Sequence, residues 1–343
     1  MASETLKKIA RRMPRRLKNL LIRSSHRVLR ALDTPPAASP PDEAPVPPEA
    51  GDTEPVWKTP PAPVPDGLTL DAVEEMFHTF SVNDEPAGHL DVYVDDSLWR
   101  FCHTWELIRD EKGRCLELGA NPFFTTQLID DYTDLDLTLV NFYGTRGESK
   151  ETVSYVRPGA AERIVREYDI VLLNVEEDNF PFADDSFDVV LLCEVIEHLL
   201  MDPVAVLREI HRVLKPGGIF VVTTPNVSRL DNVAAMIDGR NIYDPYSGFG
   251  PYGRHNREYS LHDLCRLLAF AGFEVDASFT ADGHPEYAGR HARYAEVLPL
   301  VEWRNPDLGQ YLFVRARATD SEGTGRPSFL YRDWADGSIV EYE

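Results

Sequence analysis

NVEEDNFPFADDSFDVVLLCEVIEHL, residues 174–199, joins an apolar run to a cluster of acids and a histidine. After one segment of helical periodicity, VLKPGGIFVVTTPN follows at residues 213–226. The runs 187–193 and 219–224 are short, β-branched and bounded by turn formers, as strands buried on both faces are. Between them the apolar positions of 203–214 recur at three and four residues, the period of a helix. Strand, helix, strand in this order is a βαβ unit with a parallel sheet.

The same reading extends in both directions. Runs 115–119, 135–141 and 170–175 are further strands, with helices expected in the gaps between strands. Residues 260–270 form a helix with Ser260 and Asp263 as its capping pair and Gly272 as its stop. Two last strands are expected at 273–279 and 311–316. Upstream, 69–80 and 97–110 read as helices with Thr69 and Ser97 as N-caps. The expected fold is a doubly wound, mostly parallel seven-stranded α/β sheet of the Rossmann-like kind, with a disordered N-terminal extension. The expected division is a basic arm at 1–32, a linker at 33–66, a helical cap at 67–112, the sheet domain at 113–318 and an acidic extension at 319–343.

Charge separates these parts. The chain of 343 residues has a net charge of -22, yet residues 1–32 hold ten Lys or Arg and one acid. The arm is therefore +9 and the remaining chain -31. Affinity for phosphate backbones comes largely from Lys and Arg displacing counterions, so the body is unsuited to nucleic acid. Leu6, Ile9, Met13, Leu17, Leu20 and Leu21 line one side of the basic arm, broken at Pro14. That pattern suits reversible contact with an anionic membrane surface, or docking on a partner or on the acidic body. Twelve of the 26 prolines fall in 33–66, an extended spacer. No apolar run has the length of a membrane span. Cys102, Cys115, Cys193 and Cys265 show no paired spacing and fit a reducing, cytoplasmic setting.

In doubly wound sheets ligands bind at the carboxyl ends of the strands. Gly119 permits a sharp turn there, and Glu117 places a negative charge where a cationic ligand can sit. The three runs PFADDSFDVV, EVIEHL and LKPGG, in order and at this spacing, resemble the class I S-adenosylmethionine-dependent methyltransferases. The likeness is to the methyltransferase type 11 group that includes the ubiquinone-biosynthesis O-methyltransferases, and it covers residues 113–280. The resemblance implies S-adenosyl-L-methionine as cofactor. It places Glu117, Gly119, Ala120 and Asn121 around the methionine part, Asn141 at the ribose hydroxyls and Glu176 beside adenine. Cys193 and Glu194 would line the pocket floor. Two positions depart from the family pattern. Asn121 and Phe123 stand where further glycines are usual, and Asn141 stands where an acid is usual.

His198 is the candidate base for removing a proton from an acceptor hydroxyl. If 194–200 is helical, Glu194, Glu197 and His198 share one face. Together with His255 downstream, they are a candidate site for a divalent cation, Mg²⁺ or Mn²⁺, that would chelate a diol. The run also resembles the E-x-x-E-H of certain methyltransferases that use such a metal, while many relatives with a similar run use none. The stretch 226–259 is rich in Tyr, Asn, Gly and Arg. Tyr243, Tyr252, Arg254 and His255 are the candidate substrate residues, suited to a sugar or glycan precursor. A quinone or other small-molecule O-methyltransferase, and a non-catalytic scaffold of the same fold, are the alternative readings.

Overall fold

The structure is a computed structural model that describes residues 60–86, 88–283, 293–321 and 323–342. The expected membrane-binding arm at 1–32, and the spacer as far as residue 59, lie outside the described residues.

Helix α1 (Leu70–His78) starts at Thr69, whose Oγ1 accepts the Ala72 N–H at 3.2 Å. A two-residue strand β1 (Ser81–Val82) leads to α2 (Asp91–Glu106). This second helix begins six residues before Ser97, which is buried within it rather than capping it. The apolar spacing already starts at Val94 and continues through Leu98, Phe101, Cys102 and Trp105, all buried. Then come β2 (Lys112–Leu118), α3 (Phe124–Tyr132), β3 (Asp134–Asn141), β4 (Gly147–Val156) and β5 (Arg163–Leu172). They are followed by β6 (Phe187–Cys193), α4 (Pro203–Val213), β7 (Leu214–Pro225), α5 (Leu230–Ile237) and α6 (Leu261–Phe270). The last main elements are β8 (Phe273–Ala281), α7 (Tyr294–Val301) and β9 (Tyr311–Ala318). Ser260 Oγ accepts the Asp263 N–H at 3.1 Å and caps α6 as its sequence indicates.

The main sheet has the order β1-β4-β5-β3-β2-β6-β7-β9-β8. Its inner seven, β5-β3-β2-β6-β7-β9-β8, are the expected doubly wound sheet. Strands β5, β3, β2, β6 and β7 are mutually parallel, and within these seven β9 is the one that runs against its neighbours. The gap between β3 and β5 is the correction. It holds strand β4, antiparallel to β5 over ten residue pairs, where a helix was expected. Glu151, Val153 and Tyr155 alternate inward along β4, and the turn carries Pro158 and Gly159, the period and punctuation of a hairpin.

Val189 and Leu191 face one side of the sheet, Val190 and Leu192 the other, and all four are fully buried. One face packs on α4 and α6 and on the chain's end, where Phe329, Tyr331 and Tyr342 join the core. The other packs under α2 and α3. Beyond it, Phe77, Phe101, Phe124 and Tyr155 from α1, α2, α3 and β4, with Phe80 from the turn after α1, form an aromatic cluster with ring centroids 4.7 to 6.2 Å apart. Two-residue strands β10 (Arg326–Pro327) and β11 (Ile339–Val340) pair with each other in the acidic extension.

Candidate functional site

Strands β2, β3 and β6 end side by side on one rim, and the candidate residues gather there. The first turn is narrow. Gly119 has φ +87°, and a Cβ there would meet Val195 Cγ2 at 2.5 Å. Gly119 and Ala120 both donate their N–H groups to the Val140 carbonyl, at 2.8 and 3.3 Å. Phe123 takes the left-handed conformation usual for glycine, φ +75°, but its ring is fully buried and stacks on Tyr168 at 6.0 Å. The side chain therefore lies in the core and not across the rim.

Asn121 and Asn141 are tied together. Asn141 Oδ1 accepts the Asn121 backbone N–H at 3.0 Å, and both side-chain amides donate to the Tyr143 hydroxyl, at 2.9 and 3.1 Å. Tyr143 lies in the 142–146 connection, which crosses above β5 to reach β4. Its ring is 46% exposed, so its hydroxyl stands at the mouth where the sequence had put only Asn141.

Glu117 is buried and accepts the Thr126 hydroxyl at 2.6 Å. Burial pushes its carboxyl up to about 8, against the opposing effect of that hydrogen bond. A cationic ligand placed beside it would restore the charge. Glu194, with φ +55°, turns its carboxylate to Thr223 Oγ1 at 3.0 Å and to the Arg100 guanidinium at 3.9 Å. Arg100, on α2, was not singled out from the sequence. It is 4% exposed, donates to Tyr93 OH at 2.7 Å and lies against Tyr93, Phe101 and Tyr311. An arginine inside the apolar run LWRFCHTW was the available signal, because guanidinium groups are rarely buried without a partner. Cys193 closes β6; burial pushes its thiol up to about 12, so it is inert.

Glu176 binds neither to a strand nor to open solvent. Its carboxylate accepts the N–H groups of Leu200, Met201 and Asp202, which lead into α4, with Leu200 and Asp202 both at 2.9 Å. Tyr252 OH is 3.3 Å from the same carboxylate and accepts from Asn174 Nδ2 at 3.0 Å.

The segment after β6 is a 3₁₀ turn, Ile196–His198, and not an α-helix, and Glu194 pairs with Thr223 and Arg100 instead of joining the other candidates. Glu197, His198 and His255 converge instead: one ligand atom from each lies within 4.8 Å of the others. Each is held by its remaining atom. Glu197 Oε2 accepts from Thr224 Oγ1 at 2.9 Å, while its Oε1 is buried without a hydrogen bond. His198 Nδ1 lies 2.9 Å from the Arg254 carbonyl, so it carries the proton and Nε2 presents a lone pair, 3.8 Å from Glu197 Oε1. His255 Nδ1 pairs with Glu258 at 2.9 Å, and Arg229 binds Glu258 from the other side. Burial, reinforced by the charge of His255, holds His198 down to about 4, so it is neutral near pH 7. Burial opposes protonation of His255, but Glu258, Glu197 and Asp244 raise it to about 9. Burial and Glu194 push Glu197 up to about 8.

Among the candidate substrate residues, Tyr252 joins Glu176, while Arg254 and His255 join His198. The Arg254 guanidinium sits 4.8 Å from the Tyr246 ring. Tyr243 is 82% exposed and stands outward on the rim. Glu258, three residues beyond His255, was missed; the H-x-x-E spacing was its signal.

Residues 148–222 match the family described as "Methyltransferase domain". A probable S-adenosylmethionine-dependent methyltransferase of Mycolicibacterium smegmatis is 40% identical over 114 residues, 32% of this chain and 39% of that protein. A ubiquinone biosynthesis O-methyltransferase of Ruegeria pomeroyi is 50% identical over 94 residues, 27% of this chain and 36% of its own. The mitochondrial arginine-hydroxylase NDUFAF5 of Danio rerio is 30% identical over 109 residues, 29% of this chain and 30% of its own. The chain thus spans about a third of the length of these relatives.

Proposed function

We infer, from a chain that carries a class I S-adenosylmethionine-dependent methyltransferase domain, that the protein transfers a methyl group to a hydroxyl oxygen, with a sugar or glycan precursor as acceptor. S-adenosylmethionine, when bound, supplies a methyl group already activated by its sulfonium. The protein has to hold the two partners in line and remove a proton. Gly119, whose missing Cβ leaves the turn open, and the ionisable Glu117 fit the charged sulfur end of the donor. Arg100 provides a guanidinium for its carboxylate, and Tyr143 a hydroxyl for its ribose.

The observation that carries an oxygen acceptor is His198: its tautomer is fixed by the Arg254 carbonyl, leaving Nε2 free and unprotonated. The Tyr- and Arg-rich stretch beside it favours a polyhydroxylated acceptor over a greasy one. The quinone alternative draws its support from the ubiquinone-pathway relatives alone. A transfer assay with tritium-labelled methyl donor and fractionated cell extract tests the reading. Label in a sugar-containing fraction is expected, and label in the quinone fraction replaces the acceptor class. His198→Ala should lower kcat by about 10²- to 10⁴-fold with unchanged S-adenosylhomocysteine binding. No calorimetric binding of that ligand at millimolar concentration would return the protein to the scaffold reading.

A second reading, in which a divalent cation helps to bind the acceptor, is favoured by the unpartnered Oε1 of Glu197 beside two fixed imidazoles. Glu197, His198 and His255 would be its ligands, oriented by Thr224, the Arg254 carbonyl and Glu258. Equilibrium dialysis with Mn²⁺ should show binding that weakens at least about tenfold in Glu197→Gln. Equal binding by both proteins removes the cation.

The setting proposed for this activity is the cytoplasmic side of a membrane, reached through the basic arm. No helix among the described residues is long and apolar enough to cross a bilayer.

A further inference from the structure

Thirteen large apolar side chains are exposed among the described residues, and all but Val92 and Val165 lie in connections that leave the carboxyl rim of the sheet. They do not share one loop. Phe142 and Tyr143 follow β3, Leu200 and Met201 follow β6, and Met236 and Ile237 end α5. Others lie beyond α5 and in the connection between β8 and β9. The three most exposed aromatics of this set are Tyr246, Tyr243 and Trp303, at 90, 82 and 82%. Trp303 lies just beyond α7, where Leu300 is 69% exposed. Helices α5 and α7 share a small core of their own, with Leu230, Ala234, Val297 and Leu298 buried. The exposed residues are therefore additional to what the pair needs for packing. Apolar side chains scattered singly over a surface need no explanation, but a crown of them around one end does.

We propose that this rim docks on the surface of an anionic lipid bilayer, so that the site mouth faces the headgroups and the acceptor arrives attached to a lipid. The inference rests on the acceptor reading given above and narrows it. Tyr and Trp combine an apolar body with a polar edge and partition to the headgroup level. Charge favours one part of that face. Residues 226–259 hold four Arg against four Asp or Glu and are neutral, although the chain outside the arm is -31. The rim's acids gather in the connection 173–186, which holds five Asp or Glu and no Lys or Arg, so 226–259 is the part of the rim that can approach an anionic surface.

The arm supplies the attraction, with its balance of +9. Stable attachment takes two signals, and a cationic segment joined to apolar insertion is one such pair. The proline-rich stretch from residue 33 to residue 59 lets both act together. Extended at about 3.1 Å per residue it reaches roughly 80 Å. A domain of this size is roughly 50 Å across. The arm can therefore lie on the same bilayer as the rim.

Flotation of the full chain with vesicles tests the proposal, using phosphatidylcholine alone and phosphatidylcholine with 30% phosphatidylglycerol as the probes. The protein should float with the anionic vesicles and not with the neutral ones. The double substitution Leu300→Ser and Trp303→Ser should lower the bound fraction at least about fivefold, while leaving the thermal midpoint and S-adenosylhomocysteine binding as in the parent. Flotation of this variant equal to the parent overturns the proposal. So does a parent that fails to float and sediments as a dimer that the double substitution splits, because the rim is then a contact between copies. Flotation needs no methyl transfer, so an inactive protein that floats leaves the docking surface standing and removes only the catalytic reading.

Discussion

A phenol oxygen can accept two hydrogen bonds and still donate one. Tyr143 accepts from Asn121 and Asn141, so its own proton remains for a third partner at the rim. Asn141, by contrast, has its carbonyl oxygen on the Asn121 N–H and its amide on Tyr143. The side chain two residues past the strand end is therefore better placed to serve ribose hydroxyls than the one the sequence pattern names. Tyr143→Phe keeps the ring and removes that donor. It should weaken S-adenosylhomocysteine binding about tenfold in a calorimetric titration, the worth of one net hydrogen bond. An unchanged Kd would place the ribose contact on another group. Glu117 and His198 were legible because they stand inside recognisable runs. The engagement of Asn141 was not, since it depends on a crossing connection that leaves no periodic trace. The convergence of His255 on His198 is legible only as a residue list, because the two stand 57 positions apart in the chain.

At the scale of elements, the sheet could be read wherever strands were apolar throughout. The hairpin β4–β5 could not, because its exposed edge alternates polar with apolar residues and a helix was expected in that gap, as between the other strands. It is fastened to α3 by Asp131, whose side chain is fully buried. Asp131 accepts from Gln127 and Tyr155 at 2.8 Å each, from Arg157 Nε at 3.0 Å and from Arg166 at 3.2 Å. Asp130, on the same helix, accepts from Tyr168 of β5 at 3.0 Å and pairs with Arg166. Burial works against the charge of Asp131, but the hydrogen bonds from Arg157, Tyr155 and Gln127 prevail and hold its pKa below the usual range. A depressed carboxyl adds stability that is present above its unfolded pKa, about 3.9, and is lost as the pH falls through the folded value. Asp131→Asn should therefore cost about 3 kcal/mol at pH 7, as the loss of one partner from a buried ionic group does. Urea unfolding should show the gap to the parent narrowing on acidification below pH 4. A gap independent of pH would mean that Asp131 contributes by shape alone.

The whole molecule is closed by its last residues, which the sequence marked only as acidic. Arg326 Nε and Tyr331 OH reach Asp202 at 3.0 and 2.7 Å, and Arg208 donates to the carbonyls of Gly323 and Gly325 at 2.7 and 2.8 Å. The Arg326 guanidinium also lies 4.0 Å from the Trp334 ring. The hydrogen bonds to Asp202 and from Arg208 join residues 115 to 129 positions apart, so no local pattern announces them. Their target is informative. Asp202 caps α4, and its backbone N–H is one of the three that hold Glu176 on the rim. The chain's end therefore braces the connection between the sheet and the side of the site given to adenine, without touching that site itself. Tyr331→Phe removes one hydroxyl that serves both Asp202 and the Val204 N–H. Two buried groups lose a partner, so the cost should be about 2 kcal/mol. For a domain of more than 150 residues that lowers Tm by roughly 4 to 8 °C. Calorimetry of the full chain measures it, and a midpoint within 1 °C of the parent would show that the acidic extension rests on α4 without bracing it.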